Sequence, residues 1–180
     1  RSSDLAGDSM SAVCACSVPV GSLIARRLPG AYFHDAWSVE PADPTLCALG
    51  QFLQAAQATP PWVNRLMSLR NRVVARLGLK DLGHLNGFDA DKPVDRYKTG
   101  DRIGIFTLLE NQPDEVILGD TDKHLDVALS VHQRPNPETG RVLVTVSTVV
   151  HTHNLLGRLY MLPVAPVHKL IVPSAMQAFG

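Results

Sequence analysis

At 180 residues the chain has the size of one domain and can bury enough apolar surface to fold without metal or disulfide staples. Seventeen Lys plus Arg balance seventeen Asp plus Glu, so no net field draws a polyanion, and nucleic acid is not an expected partner. The cysteines Cys14, Cys16 and Cys47 are odd in number with two of them one residue apart, which fits a reducing cytoplasm.

Residues 1–17 are small and polar without a period and read as a flexible N-terminal arm, leaving 18–180 as a single domain. Met10–Ala25 carries no basic cluster ahead of it and is interrupted by Pro19 and Gly21, so no export signal is read there. Ala31–Val39 mixes aromatic and β-branched residues and predicts a first strand. Asp43-Pro44 then predicts a helix start, with Asp43 as N-cap and Pro44 in the first turn. Leu46, Leu49, Phe52, Leu53 and Ala56 supply the buried stripe of that helix. A second helix is expected from about Thr59 to Gly78, with Trp62, Leu66, Val73 and Leu77 inward and the arginines of Asn64–Arg76 on a solvated face.

Lys80–Asp101 shows no sustained period and reads as a long loop or lid containing a short strand. Strands follow at Ile103–Glu110, Glu115–Leu118, Asp122–Gln133 and Arg141–Thr152, joined by turn residues into an antiparallel meander. With the last turn centred near Asn136-Pro137, the Leu and Val rows of the final two strands share one face. Asp126, Thr145 and Ser147 share the other. A terminal helix begins after Asn154, and Pro163 and Pro166 are expected to bend it. Its longest apolar run, Leu159–Val172, contains two prolines, His168 and Lys169, so no membrane span is expected.

The order of strand, two helices, meander and terminal helix predicts an α+β fold. The chain resembles the helix-grip fold of the START and Bet v 1-like (SRPBCC) superfamily, and within it a bacterial family known as domain of unknown function 2867. The likeness is carried by Gly100–Phe106, Asp122–Asp126, Ser147–Val150, Thr152–Tyr160 and Pro166–His168, and covers roughly Val18 to Met176. It implies a curved antiparallel sheet gripping a long C-terminal helix, with two shorter helices and a cavity that in related families holds lipids, sterols, polyketides or hormones. Relatives are in some cases joined to a dinucleotide-binding domain; this chain lacks the Gly-rich strand-to-helix turn of such a domain.

The expected function is the binding of a small, largely apolar molecule between sheet and terminal helix, with no cofactor. Trp62, Phe106, Leu108, Tyr160 and Val164 are expected as apolar wall, and Asp126, Ser147 and His151 as polar contacts if they point inward. The competing placement puts those three on the solvent face, where antiparallel sheets carry polar residues. One alternative is an enzyme of the polyketide cyclase or dehydratase type, with His151 or Asp126 as general base. Another is a non-catalytic interaction module, such as a homodimer. His151-x-His153, with His124 and His168, contains metal-ligating residue types but no recognised metal spacing, and no metal is assigned. Ser147 lacks the glycine-flanked elbow of a serine hydrolase.

Overall fold

The computed structural model describes residues 12–76 and 87–179, with the side chains of 70–76 excepted. The elements in chain order are β1 (Cys14–Ala15), β2 (Phe33–Val39), α1 (Ala48–Gln57), α2 (Pro61–Arg76), β3 (Arg102–Ile103), β4 (Phe106–Asn111), β5 (Glu115–Thr121), β6 (Leu125–Pro135), β7 (Val142–Thr152) and α3 (Leu155–Met176). The strands form one seven-stranded antiparallel sheet in the order β1-β2-β7-β6-β5-β4-β3. The fold is α+β, with the first and last long strands adjacent at one side and the meander filling the other.

Strict alternation gives the sheet two different faces. On the inner face, Leu108, Val116, Leu118, Val131, Val144 and Val146 join Leu49, Phe52 and Leu53 of α1 in the main core, and Val172 and Met176 of α3 close it. The outer face carries Ile117, Ala128 and Val149, covered by Ile24 from a short 3-10 turn, Ile24–Arg27. Beneath that turn lies the Glu115 carboxyl, 3% exposed, which accepts from the backbone N–H groups of Leu23 (2.6 Å) and Ile24 (3.1 Å) and from Ser130 Oγ (2.7 Å). A carboxyl can be buried on this face because three donors replace its water.

Several expectations shift. Cys14 and Ala15, within the span expected as a flexible arm, pair with Ser38 and Trp37. Helix α1 starts later than Asp43 predicts: Cys47 is the N-cap, and the Ala48 N–H donates to the Pro113 carbonyl at 3.1 Å, so the β4–β5 turn supplies an acceptor that a cap side chain does not. Asp43 instead folds back on Thr45, accepting from its N–H (2.9 Å) and hydroxyl (2.6 Å), and these bonds hold its carboxyl below the usual range. In α2 the inward residues are Val63 and Met67; Trp62 is 40% exposed, and Val73 and Leu77 lie outside the described side chains. Part of the expected lid lies outside the described residues; the described part forms a 3-10 turn at Val94–Arg96 and no strand. The single strand expected at Ile103–Glu110 divides into β3 and β4 because Gly104 (φ 60°) turns the chain between them.

Helix α3 runs unbroken for 22 residues through Pro163, Pro166 and Pro173. Each proline leaves the carbonyl four residues earlier without its helical donor, and those carbonyls belong to Leu159, Leu162 and Lys169, all exposed residues. Solvent access on that side lets the helix continue. Its beginning is fixed firmly: Asn154 accepts from the Gly157 N–H (3.0 Å) and donates from Nδ2 to the Lys123 carbonyl (3.0 Å). By length and composition α3 is long and apolar enough to cross a membrane, longer than the run the sequence marks out. Here it lies against the sheet.

Candidate functional site

The most polar place between sheet and terminal helix is built by three residues from three elements. Along β2, Phe33, Asp35, Trp37 and Val39 alternate onto the inner face, so one acid interrupts an apolar row. Thr148 of β7 is the cross-strand partner of Asp35. From α3, His168 sits on the inward side with Met161, Val164, Ile171 and Val172, and its Nε2 reaches Thr148 Oγ1 at 3.1 Å and Asp35 Oδ1 at 3.4 Å.

Trp37 Nε1 donates to Asp35 Oδ2 at 3.3 Å, and Phe33 meets the His168 ring edge-on, with centroids 5.6 Å apart. The Asp35 side chain is only 10% exposed. Its Oδ1 has no hydrogen bond within normal geometry, only the long approach of His168. A carboxylate so shielded attracts a positive or donating partner strongly.

The same imidazole nitrogen faces both oxygens. A nucleophilic relay needs the two ring nitrogens to serve acid and hydroxyl separately, so this geometry is that of a polar anchor. Next to it the inner face is incompletely covered. Leu129 pairs with Thr148, Val127 pairs with Val150, and both remain half-buried, as do Phe33, Tyr160 and Val164. Helix α1 packs over β5 and β6, α3 packs over β2 and β7, and the two helices touch each other.

The expected wall and contact residues do not all meet there. Phe106 and Leu108 face the helices but are sealed in the main core, and Tyr160 and Val164 are half-buried on α3, ahead of His168. Trp62, on α2, is partly exposed and not in the main core. Asp126, Ser147 and His151 lie on the outer face, because Thr148 and Val150 take the inner one and side chains alternate. The His151 ring contacts the Pro29 carbonyl at 3.2 Å, Asp126 lies 3.1 Å from His153 Nε2, and the Ser147 hydroxyl is buried without a partner. Pointing inward was the condition for their contact role, and the alternation of β6 and β7 places them away from α3.

Among the described residues, no three His, Cys, Asp or Glu side chains come together as a metal site. His124 is engaged with Asn154 at the start of α3, and His168 faces the side opposite to His151. Two cavities open elsewhere. One of about 430 Å³ runs beside Asn64, Arg65, Ser68 and Leu69 of α2. Another, of about 270 Å³, lies between residues 16–20 and the outer-face residues Ser38, Arg134, Leu143 and Thr145. At its mouth, burial pushes the Cys16 thiol up, outweighing the hydrogen bond with Ser38 and the nearby Arg134. A raised thiol is a poor nucleophile near neutrality.

A family model described as a protein of unknown function (DUF2867) matches residues 27–175. The chain belongs to that family. No curated protein and no solved structure gives a match. The DUF2867 match contains Asp35, Thr148 and His168 together with the half-covered surface beside them, whereas β1 and most of the outer-face covering lie ahead of it.

Asp35 and Thr148 are not among the residues expected in the site, and His168 enters the sequence reading as a metal-ligating residue type and within the Pro166–His168 segment of the family likeness. The available signal was the acid at an apolar position of β2, flanked two residues away on each side by an aromatic ring.

Proposed function

We propose that this domain binds a small, largely apolar molecule along the inner face of the sheet, under α3, with the Asp35–Thr148–His168 cluster as its polar anchor. The observation that carries the reading is this cluster: a shielded carboxylate, hydroxyl and imidazole bordering half-buried Val127, Leu129, Tyr160 and Val164. Few polar groups in an apolar setting orient a ligand and give it specificity. The element order, a strand and two helices followed by a meander and a terminal helix, supports the finer assignment to the helix-grip architecture. In that architecture the corresponding space accepts a guest.

The cyclase or dehydratase alternative gains no support from His151 or Asp126, which face away from this surface.

Native mass spectrometry of the purified protein, followed by titration with the apolar fluorophore N-phenyl-1-naphthylamine, tests the binding. The expected result is a retained small molecule or saturable fluorophore binding, weakened by Val164→Trp, which fills the half-covered surface, and unchanged in Ser147→Ala. Absence of both signals from a folded protein overturns the reading.

A further inference from the structure

A helix that is hydrophobic all round normally has protein or lipid on every side. Helix α3 meets protein on one side only. Gly157, Met161, Val172 and Met176 are buried, while Leu155 is 80% exposed, Leu162 63% and Leu170 68%, with Leu159 and Val167 also exposed. These five residues recur at three- to five-residue spacing and form one stripe along the helix. An aliphatic face of this length, uncovered among the described residues, marks a contact surface.

Charge decides what it meets. The sequence of α3 contains no Asp or Glu, and its cations, Arg158 and Lys169, are eleven residues apart and both exposed. At 100° per residue they fall on the same edge of the stripe. From this we infer that the outer face of α3 docks on an anionic lipid surface, the aliphatic stripe entering the boundary between headgroups and acyl chains and the two cations meeting lipid phosphates or carboxylates.

Two features make the helix lie along a bilayer rather than cross it. Its start is held by Asn154 and its end by burial of Val172 and Met176, so the domain presents the side of α3 outward. The three prolines also leave carbonyls of exposed residues without helical donors, which wet headgroups satisfy more readily than lipid tails. A second copy fits less well. An antiparallel two-fold pairing centred on the stripe would bring the Arg158 and Lys169 edges of both copies together, with no helix carboxylate between them.

The inference does not depend on a ligand inside the domain, and its test needs none. Co-sedimentation compares vesicles of phosphatidylcholine with vesicles of equal parts phosphatidylcholine and phosphatidylserine. The expected result is binding to the second, falling with added salt, lost in Leu162→Glu/Leu170→Glu, and about thirtyfold weaker in Arg158→Gln/Lys169→Gln. Circular dichroism establishes that both variants are folded; the substituted side chains are exposed, so the fold should persist. No sedimentation of the folded wild type with anionic vesicles overturns the inference. So does undiminished binding by the Leu162→Glu/Leu170→Glu variant, or dimerisation abolished by those substitutions in a protein that ignores vesicles.

Discussion

The carbonyl oxygen of His124 occupies the space that a side chain on Gly157 would need. The first turn of α3 is thereby pressed against the β5–β6 turn, whose shape Asp122 fixes by accepting from the His124 and Leu125 N–H groups at 2.6 and 3.0 Å. Alanine in place of a helical glycine would ordinarily add about 1 kcal/mol of stability. Backbone cannot move aside as a flexible side chain can, so the collision dominates. Gly157→Ala should lose about 1–3 kcal/mol in a urea titration; an increase in stability would show that the two turns are not in contact.

Asn154 ties the same junction from the other side. It caps α3 and also reaches His124 and Lys123. Asn154→Ala should cost about 1–2 kcal/mol, whereas Asn154→Asp, which retains the cap acceptor and loses the Nδ2 donors, should recover part of the loss. Thermal unfolding midpoints of the three proteins order them.

Glu115 holds the N-terminal covering onto the outer face through the N–H groups of Leu23 and Ile24. Truncation leaves those donors and the Ser130 hydroxyl without their acceptor, a penalty of about 1–3 kcal/mol for each group left unsatisfied. Glu115→Ala should therefore lose several kcal/mol, and amide exchange at residues 23 and 24 should quicken more than at the inner-face strands.

Asp101 gives the fold an acid-sensitive element. The Lys92 ammonium, 2.7 Å away, and the Lys98 N–H at 3.1 Å hold its carboxyl below the ordinary range. The folded state thus binds the proton less tightly than the unfolded chain. The stabilisation is fully present above the unfolded value, about pH 4, and is lost as pH falls through the lower folded value. Urea midpoints measured from neutrality downward should fall less steeply in Asp101→Asn than in the wild type; parallel curves would remove Asp101 from the account.

Period-two alternation in β6 and β7 was strong enough to sort their faces from the sequence, and the sorting agrees with the observed ladder. The centre of the hairpin was displaced, because Pro135 remains paired with Val142 and the chain reverses over Asn136–Arg141. In α2 the sequence places Trp62, Leu66, Val73 and Leu77 inward, whereas among the described side chains Val63 is the one fully buried and Met67 packs against the core. Such a rotation is invisible in a helix with apolar residues on adjacent sides.

The candidate site was half legible. Asp35 stands out in its strand once the face of Phe33 and Trp37 is known, but its pairing with His168 arises only when α3 is laid across β2 and β7. No local pattern encodes that crossing. The polar row of Asp126, Ser147 and His151 lies away from α3 for a related reason: alternation reveals which residues go together, and only the placement of α3 tells which face it covers.

The buried seam at Glu115 bears on where this polypeptide can be cut. A fragment trimmed to residues 27–175, the limits of the family match, would discard Leu23 and Ile24 and bare both the carboxyl and the apolar patch of Ile117, Ala128 and Val149. The contacts that cover this face therefore begin upstream of the matched segment, and a shortened protein should keep residues 18–26.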